Sequence, residues 1–266
     1  MRKVAMVFLT AVMVFTLLPE RAAGASSSLF DTSRLATGVI GVRYDLPAGT
    51  NGRIMITYGA EKLYYRLAES TKMQYYPLLL GDGSYKISIL SQVSGNKYRV
   101  VESKTVQLKL EDENRVYLNA IFTMDWEHED EVIKLAEQLT EGLKSDKQKA
   151  KAIHEYIVKT IGYDYELAKT ATASYIPSLG EILEAGEATC YGYSALYGGM
   201  LRSLGIPAKL VVGDSSGIKG KHAWNEVYLD GEWQLVDVTV DYAFDQAKKS
   251  KSWTKAAYDY EVDMAM

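Results

Sequence analysis

The amino-acid sequence predicts a mixed α+β fold, in which a β-rich N-terminal module is followed by an α+β domain. Between residues 36 and 122, short runs of alternating apolar and polar residues are separated by turn residues, which is typical of half-buried strands. After Trp126 the apolar residues recur at spacings of three and four, which is typical of one face of a helix. We therefore expect a boundary between the two modules near residue 125.

Residues 26–125 are expected to form an antiparallel β-sandwich-like module. The clearest strand and turn segments are Ile54–Tyr58, Tyr85–Ile89, Val106–Leu110, Gly81–Gly83 and Ser94–Asn96. The many tyrosines of this module fit half-buried strand positions. The alternative is a surface protein in which these tyrosines form an exposed, sugar-binding face.

Residues 126–266 begin with a helical pattern. Three helices are predicted, at Asp130–Leu143, Asp146–Ile161 and Leu179–Ala185. Ser145 has the side chain of a helix N-cap, and Gly162 is placed as a C-terminal stop.

The first 25 residues have the features of a secretory signal peptide. Arg2 and Lys3 precede an apolar run from Val4 to Leu18, and Ala23-Gly24-Ala25 has the form of a cleavage site. The apolar run is shorter than the roughly 20 residues that a membrane helix needs. We therefore expect a secreted or extracytoplasmic, cell-envelope protein without a membrane span after cleavage. The alternative is a retained N-terminal anchor.

The charge of the chain argues against a nucleic-acid partner. The formal net charge is −4, and it becomes −6 without the signal segment, which carries three basic residues and one acidic residue. Nucleic-acid binding depends on basic contacts to phosphate, so we expect none here. No cluster of His, Cys and carboxylate residues has the spacing of a metal site, so the sequence predicts neither a metal nor a cofactor.

The chain has a single cysteine, Cys190, in the segment ATCYGYSA. The residues that follow predict a helix that begins at or just after Cys190 and stops at Gly205 and Pro207. A thiol at a helix N-terminus faces unpaired N–H groups, and these favour the thiolate. The position alone is equally compatible with a buried structural cysteine.

Of the three histidines, His222 is the best candidate for a partner of Cys190. His154 borders the apolar stripe of a predicted helix, where a packed or hydrogen-bonded histidine is expected, and His128 lies in an acidic cluster. His222 opens a predicted hairpin with a two-residue turn at Asp230-Gly231.

The register of this hairpin brings an aspartate towards His222. If Leu229 pairs with Glu232, Trp224 faces Asp237 and His222 faces Thr239. Asp237 is then diagonal to His222, about 7–8 Å away between backbones, which the two side chains can bridge. The same register makes Asp241 the opposite diagonal neighbour, so spacing alone does not choose between the two aspartates.

Two segments together resemble the core of the transglutaminase-like superfamily. They read ATCYGYSALYGGMLRSLGIPAKLVVG and KHAWNEVYLDGEWQLVDVT, and the similarity extends from about Lys147 to Tyr242. The resemblance implies a papain-like α+β domain over residues 126–266 with a catalytic triad. It assigns the nucleophile to Cys190, the base to His222 and the third member to Asp237.

The resemblance implies an enzyme that transfers an acyl group from an amide through a thioester. We expect a protein or peptide substrate, cell-envelope associated or extracellular, with transfer either to an amine (cross-linking) or to water (hydrolysis). The Cys190 N–H is expected to be one oxyanion donor, and Tyr163 or Tyr165 is a candidate for the other. The alternative is a non-catalytic binding or scaffold protein on the same fold. The intact triad favours the enzyme.

Overall fold

The computed structural model describes residues 13–15, 29–67, 70–172, 175–250, 252–256 and 259–266. The predicted signal peptide, residues 1–25, lies outside the described residues apart from residues 13–15. The described chain divides into two compact units, one ending at Val116 and the other beginning at Tyr117. In the described ranges, no helix is long and apolar enough to cross a membrane.

The N-terminal unit consists of two sheets. Its strands are β1 (Met13–Phe15), β2 (Phe30–Asp31), β3 (Val39–Tyr44), β4 (Gly52–Tyr58), β5 (Glu61–Leu67), β6 (Ser70–Pro77), β7 (Gly83–Ser94) and β8 (Lys97–Leu108). The sheet orders are β1-β8-β7-β4-β5 and β2-β3-β6, and all pairs are antiparallel except β1 with β8. The predicted antiparallel sheets are thus confirmed.

The central strands β4 and β7 are buried on both faces over part of their length, whereas their alternating sequences predict one buried face. Met55 and Leu90 on one face are buried in a cluster with Tyr98. In β4 the side chains of Ile54 and Ile56 are fully buried, and in β7 so are those of Ile87 and Ile89. Tyr85 is buried as well, and its hydroxyl donates to the main-chain oxygen of Gly81.

The C-terminal unit combines six helices with two sheets among its described residues. The helices are α1 (Asp130–Thr140), α2 (Asp146–Thr160), α3 (Tyr165–Thr170), α4 (Leu179–Ala185), α5 (Cys190–Ser203) and α6 (Val238–Gln246). The strands are β9 (Gly162–Tyr163), β10 (Glu187–Ala188), β11 (Ala208–Ser215), β12 (Ile218–Leu229), β13 (Glu232–Val236) and β14 (Tyr260–Ala265). β9 pairs with β10, and the larger sheet has the order β13-β12-β11-β14. The mixed α+β class is confirmed.

The ends of the predicted helices follow from local capping. Ser145 caps α2 in a reciprocal capping box with Gln148, as predicted. Ile161 ends this helix, and Gly162, predicted as the stop, opens β9 instead. α1 ends at Thr140, three residues before the predicted end, and Gly142 follows with a φ of 75° that a helix cannot continue.

Helix α5 is buried on all sides, whereas its sequence predicts a single apolar face. Residues 192–202 are all buried. Three glycines allow this close packing. A Cβ added to Gly199 would lie 2.6 Å from Leu179 Cδ1, one added to Gly198 would lie 3.0 Å from Met124 Cε, and one added to Gly192 would lie 3.0 Å from Ala188 Cβ. α5 is therefore the central helix of the unit.

The hairpin has the predicted register but is shorter than predicted. Leu229 pairs with Glu232, and the register continues to Asn225 and Val236. β13 then stops, so the expected pairs of Trp224 with Asp237 and of His222 with Thr239 do not form. The reason is that the Asp237 side chain accepts a hydrogen bond from the Val240 N–H at 3.0 Å and caps α6.

Two further segments are strands that were not predicted from the sequence. The segment between Gly213 and His222 is mostly strand, because β11 runs to Ser215 and β12 begins at Ile218. The tail after Tyr242 contributes β14 to the edge of the larger sheet, next to β11.

Candidate active site

Cys190 is the first residue of helix α5. The Thr189 side chain caps the helix by accepting the Gly192 N–H at 3.3 Å. The Cys190 N–H, which has no partner within a helix at this position, makes a hydrogen bond to the Tyr163 hydroxyl. Cys190 is partly exposed.

His222 lies on β12 beside the N-terminus of α5. Its side chain is 1% exposed, and its Nε2 lies 2.8 Å from Asp237 Oδ2. The Cys190 side chain is its other hydrogen-bond partner, and Nδ1 is the ring nitrogen left for that bond. His222 therefore lies between the thiol and the carboxylate.

The environment of His222 favours its charged form. Burial lowers the pKa of His222, but the hydrogen bonds to Asp237 and to Cys190, together with the charges of these two groups, outweigh burial and raise the pKa to about 9. The ring is therefore an imidazolium at neutral pH, flanked by a carboxylate on one side and the sulfur on the other.

Asp237 is fully buried and accepts three hydrogen bonds. Oδ2 accepts from His222 and, at 2.9 Å, from the Tyr260 hydroxyl, and Oδ1 accepts from the Val240 N–H. A buried carboxylate needs such donors to remain charged. The structure thus brings together Cys190, His222 and Asp237, the three residues that the resemblance assigns to the site.

Asp241, the alternative left open by the hairpin spacing, belongs to a different cluster. It lies one helical turn after Asp237, where its Oδ2 is 2.9 Å from His154 Nε2 and its Oδ1 is 2.6 Å from Lys255 Nζ. All three side chains are more than nine-tenths buried. His154 is thus a packed and hydrogen-bonded residue, as expected, while the exposed His128 contacts Asp125.

Asn225 fixes the helix of the cysteine against the strand of the histidine. It is fully buried on β12, and its Nδ2 donates to the main-chain oxygens of Ser194 on α5 and Lys209 on β11, both at 3.0 Å. This residue was not among those predicted from the sequence. Its position three residues after His222, inside an apolar strand, was the available signal.

Of the two tyrosines considered as oxyanion donors, Tyr163 is the one beside Cys190. Burial raises the pKa of Tyr163 to about 12, with a further contribution from the charge of Cys190. Tyr165 packs edge-on against Tyr163, with ring centroids 4.8 Å apart, and is 65% exposed. Of these two tyrosines, Tyr163 is the one whose hydroxyl bonds to the Cys190 N–H.

Tyr260 is, like Asn225, a site residue that was not predicted from the sequence. It begins β14, where Tyr260, Val262 and Met264 alternate with Glu261 and Asp263. That alternation predicts a strand, but nothing in it points to Asp237 as a partner. Throughout the part of the chain that the structure describes, no group of three or more His, Cys, Asp or Glu residues is arranged to hold a metal ion.

Comparison with known families finds a match over the part of the chain that contains this site. The family model described as the Transglutaminase-like superfamily matches residues 133–238, a range that includes Cys190, His222 and Asp237. The chain contains a transglutaminase-like domain.

Curated relatives match less than half of this chain. Kyphoscoliosis peptidase from Mus musculus is 33% identical over 117 residues, which are 40% of this chain and 17% of the relative. The chain thus spans about a sixth of the length of the curated relatives that it matches.

Solved structures are similar at low sequence identity. A candidate cysteine protease from Cytophaga hutchinsonii is 14% identical, with a TM-score of 0.48 over 86% of this chain and 76% of that one. The periplasmic domain of TgpA from Pseudomonas aeruginosa is also 14% identical, with a TM-score of 0.41 over 78% of this chain and 70% of that one.

Proposed function

We propose that this protein is an exported, cysteine-dependent acyl-transfer enzyme that acts on amide bonds of proteins or peptides. The observation that carries the proposal is the continuous set of contacts from Cys190 through His222 to Asp237 inside a transglutaminase-like domain. Export rests on the signal-peptide features of residues 1–25.

The first half of the reaction forms a thioester. The Cys190 sulfur, as a thiolate stabilised by the His222 imidazolium and the N-terminus of α5, attacks the carbonyl carbon of the amide. His222 then gives its proton to the amide nitrogen, and the C–N bond breaks. The leaving group is ammonia or an amine, and the acyl group stays on sulfur.

The second half releases the acyl group. Neutral His222 takes a proton from water or from an acceptor amine, which attacks the thioester carbon and displaces the Cys190 sulfur. Asp237 keeps the imidazole oriented and stabilises its cation in both halves. Protons and charge balance, and the triad returns to its starting state.

The oxyanion of each tetrahedral intermediate needs donors near Cys190. In the resting state the Cys190 N–H bonds to the Tyr163 hydroxyl. A substrate carbonyl oxygen placed between these two groups would accept both the Cys190 N–H and the Tyr163 O–H. Because its pKa is raised to about 12, Tyr163 keeps the proton that it would donate.

Reactivity of Cys190 towards iodoacetamide across pH tests the proposal. We expect fast alkylation of the wild type already at about pH 6, because the thiolate is paired with an imidazolium, and a loss on the order of tenfold in His222→Ala. His128→Ala is the matched control, since this exposed histidine pairs with Asp125 away from the thiol, and it should behave as wild type. An ordinary thiol titration in both wild type and His222→Ala would overturn the catalytic proposal in favour of a binding or scaffold protein.

The products distinguish hydrolysis from cross-linking. The curated relative at 33% identity is named a peptidase, which favours water as the acceptor. With glutamine-containing peptides as substrate and a fluorescent primary amine present, we expect cleavage or ammonia release without incorporation of the amine. Cys190→Ala is the inactive control. Incorporation of the amine at the rate of ammonia release would assign the transferase reaction instead.

A further inference from the structure

Tyr260 contacts the same carboxylate oxygen as His222. Its hydroxyl donates to Asp237 Oδ2 at 2.9 Å, and His222 Nε2 lies 2.8 Å from that oxygen. Oδ1 is occupied by the Val240 N–H. Three donors therefore fix the orientation of the carboxylate. His222 belongs to the hairpin and Val240 to α6, whereas Tyr260 belongs to β14.

Packing holds the Tyr260 ring in place. The ring lies against Trp224, with centroids 4.9 Å apart, and Trp224 is fully buried with its ring centroid 6.1 Å from that of His222. Tyr260 also packs against the buried cluster of Val211, Trp224 and Leu235. Its hydroxyl is thus aimed by a rigid environment.

The approach of β14 to the site depends on Gly213. This glycine on β11 pairs with His222 on one side and with Val262 on the other. A Cβ at this position would collide with the main-chain oxygen of Glu261 and lie 2.8 Å from the Trp224 ring. The small residue lets β14 pass close enough for Tyr260 to reach Asp237.

Tyr260 remains a donor throughout the range in which His222 titrates. Burial raises the pKa of the Tyr260 hydroxyl, and the adjacent charge of Asp237 raises it further. An ionised phenol would place a second negative charge against a buried carboxylate, so the proton stays on the tyrosine.

We propose that Tyr260 is a positioning residue of this site, whose hydroxyl orients the Asp237 carboxylate and thereby sets the orientation and protonation of His222. The inference rests on the proposed role of His222 as general base. The Tyr260 O–H dipole neutralises part of the charge of the Asp237 carboxylate. The His222 imidazolium is therefore held less tightly and can release its proton during each turnover.

Tyr260→Phe tests this inference because it keeps the ring packing on Trp224 and removes the hydroxyl, which bonds to Asp237 and also interacts with the Ser215 side chain. We expect kcat to fall on the order of tenfold with KM unchanged, since a hydrogen bond to a buried charge is lost. We also expect the pKa of His222, followed by NMR titration of the imidazole, to rise, because the carboxylate charge is no longer shared. Tyr228→Phe, on β12 with its ring against Trp233, is the matched control and should match wild type.

A double-mutant cycle separates positioning from general stability. If Tyr260 acts through Asp237, Tyr260→Phe should cause little further loss of kcat in an Asp237→Asn background. Equal fold losses in both backgrounds would overturn the proposal. Incorporation of 3-fluorotyrosine at position 260, which keeps the shape and strengthens the donor, should lower the pKa of His222. This variant decides the question if Tyr260→Phe does not fold.

The result that would contradict the role of Tyr260 differs from the result that would contradict the proposed function. A wild-type protein without acyl-transfer activity would contradict the proposed function, while the NMR titration would still report whether Tyr260 controls His222. An active Tyr260→Phe enzyme with wild-type kcat and an unshifted His222 pKa would overturn the inference and leave the proposed function intact.

Discussion

Asp237 has three hydrogen-bond donors and no exposure to solvent. Such a residue can remain charged inside the protein because each lone pair that faces inward is satisfied. The charge in turn holds His222 as an imidazolium, which is the electrostatic basis of the site. The stability of the folded protein should therefore depend on pH through this one ring.

The contribution of His222 to stability has a defined pH window. Its pKa is raised from about 6.5 to about 9 on folding, so the stabilisation is complete below about pH 6.5 and is lost as pH rises through about 9. The size is about 3 kcal/mol. Urea unfolding measures the difference in the free energy of unfolding between the wild type and His222→Gln. This difference should shrink by this amount between about pH 6 and about pH 9.5. A difference that does not change with pH would contradict the raised pKa.

Some residues of the candidate site can be predicted from the sequence, and others cannot. Cys190 and His222 could be found because each lies at a recognisable local position, the start of a helix and the opening of a hairpin. Choosing Asp237 over Asp241 required the family resemblance, since their spacing to His222 is equivalent. Tyr260 could not be found, because its contact with Asp237 is made by the fold and leaves no local pattern.

Helix α6 carries two aspartates that face two histidines. Asp237 at its cap holds His222 on β12, and Asp241 one turn later holds His154 on α2. Asp241 also holds Lys255, whose side chain is 3% exposed and whose Nζ bonds to the main-chain oxygens of Ser252 and Trp253. This second cluster ties α2, α6 and the segment after α6 together, next to the candidate active site.

Loss of the Asp241 charge should destabilise this arrangement. Asp241→Asn leaves the buried Lys255 ammonium without its carboxylate, which costs about 3–5 kcal/mol. Asp245→Asn, on the exposed part of the same helix, is the matched control and should leave the thermal midpoint unchanged. Adding Lys255→Met to Asp241→Asn should recover part of the loss, because no unpaired charge then remains. If Asp241→Asn unfolds at the same temperature as wild type, the cluster does not hold these elements together.

The register of the hairpin can be predicted from the sequence, but the end of its second strand cannot. A two-residue turn determines the register, so the pairing from Leu229 to Asn225 follows from the sequence alone. The end of β13 does not, because the Asp237 side chain can serve either as a strand residue or as a helix cap, and the apolar residues after it fit both. The cap forms, and it turns the carboxylate towards His222.

At the scale of the whole chain, composition and periodicity predict the mixed α+β class and the order of a β-rich part before an α+β part. The central place of α5 is not predictable in this way. Its sequence has an apolar stripe, but its complete burial comes from glycines that allow neighbours to approach from the other side. The position of β14 beside β11 is likewise decided by tertiary packing, which no short segment encodes.

The Asp237 carboxylate both caps α6 and contacts His222, and this determines at which stage of folding the proposed chemistry becomes possible. One of its oxygens caps α6 and the other contacts His222, so the proposed activation of Cys190 requires this helix to be in place. On the proposed mechanism, Cys190 should react slowly with an alkylating agent in a nascent chain or in a molecule whose α6 is unfolded, because Asp237 then no longer holds His222. We therefore expect the rate of Cys190 labelling to follow the fraction of molecules in which α6 is folded.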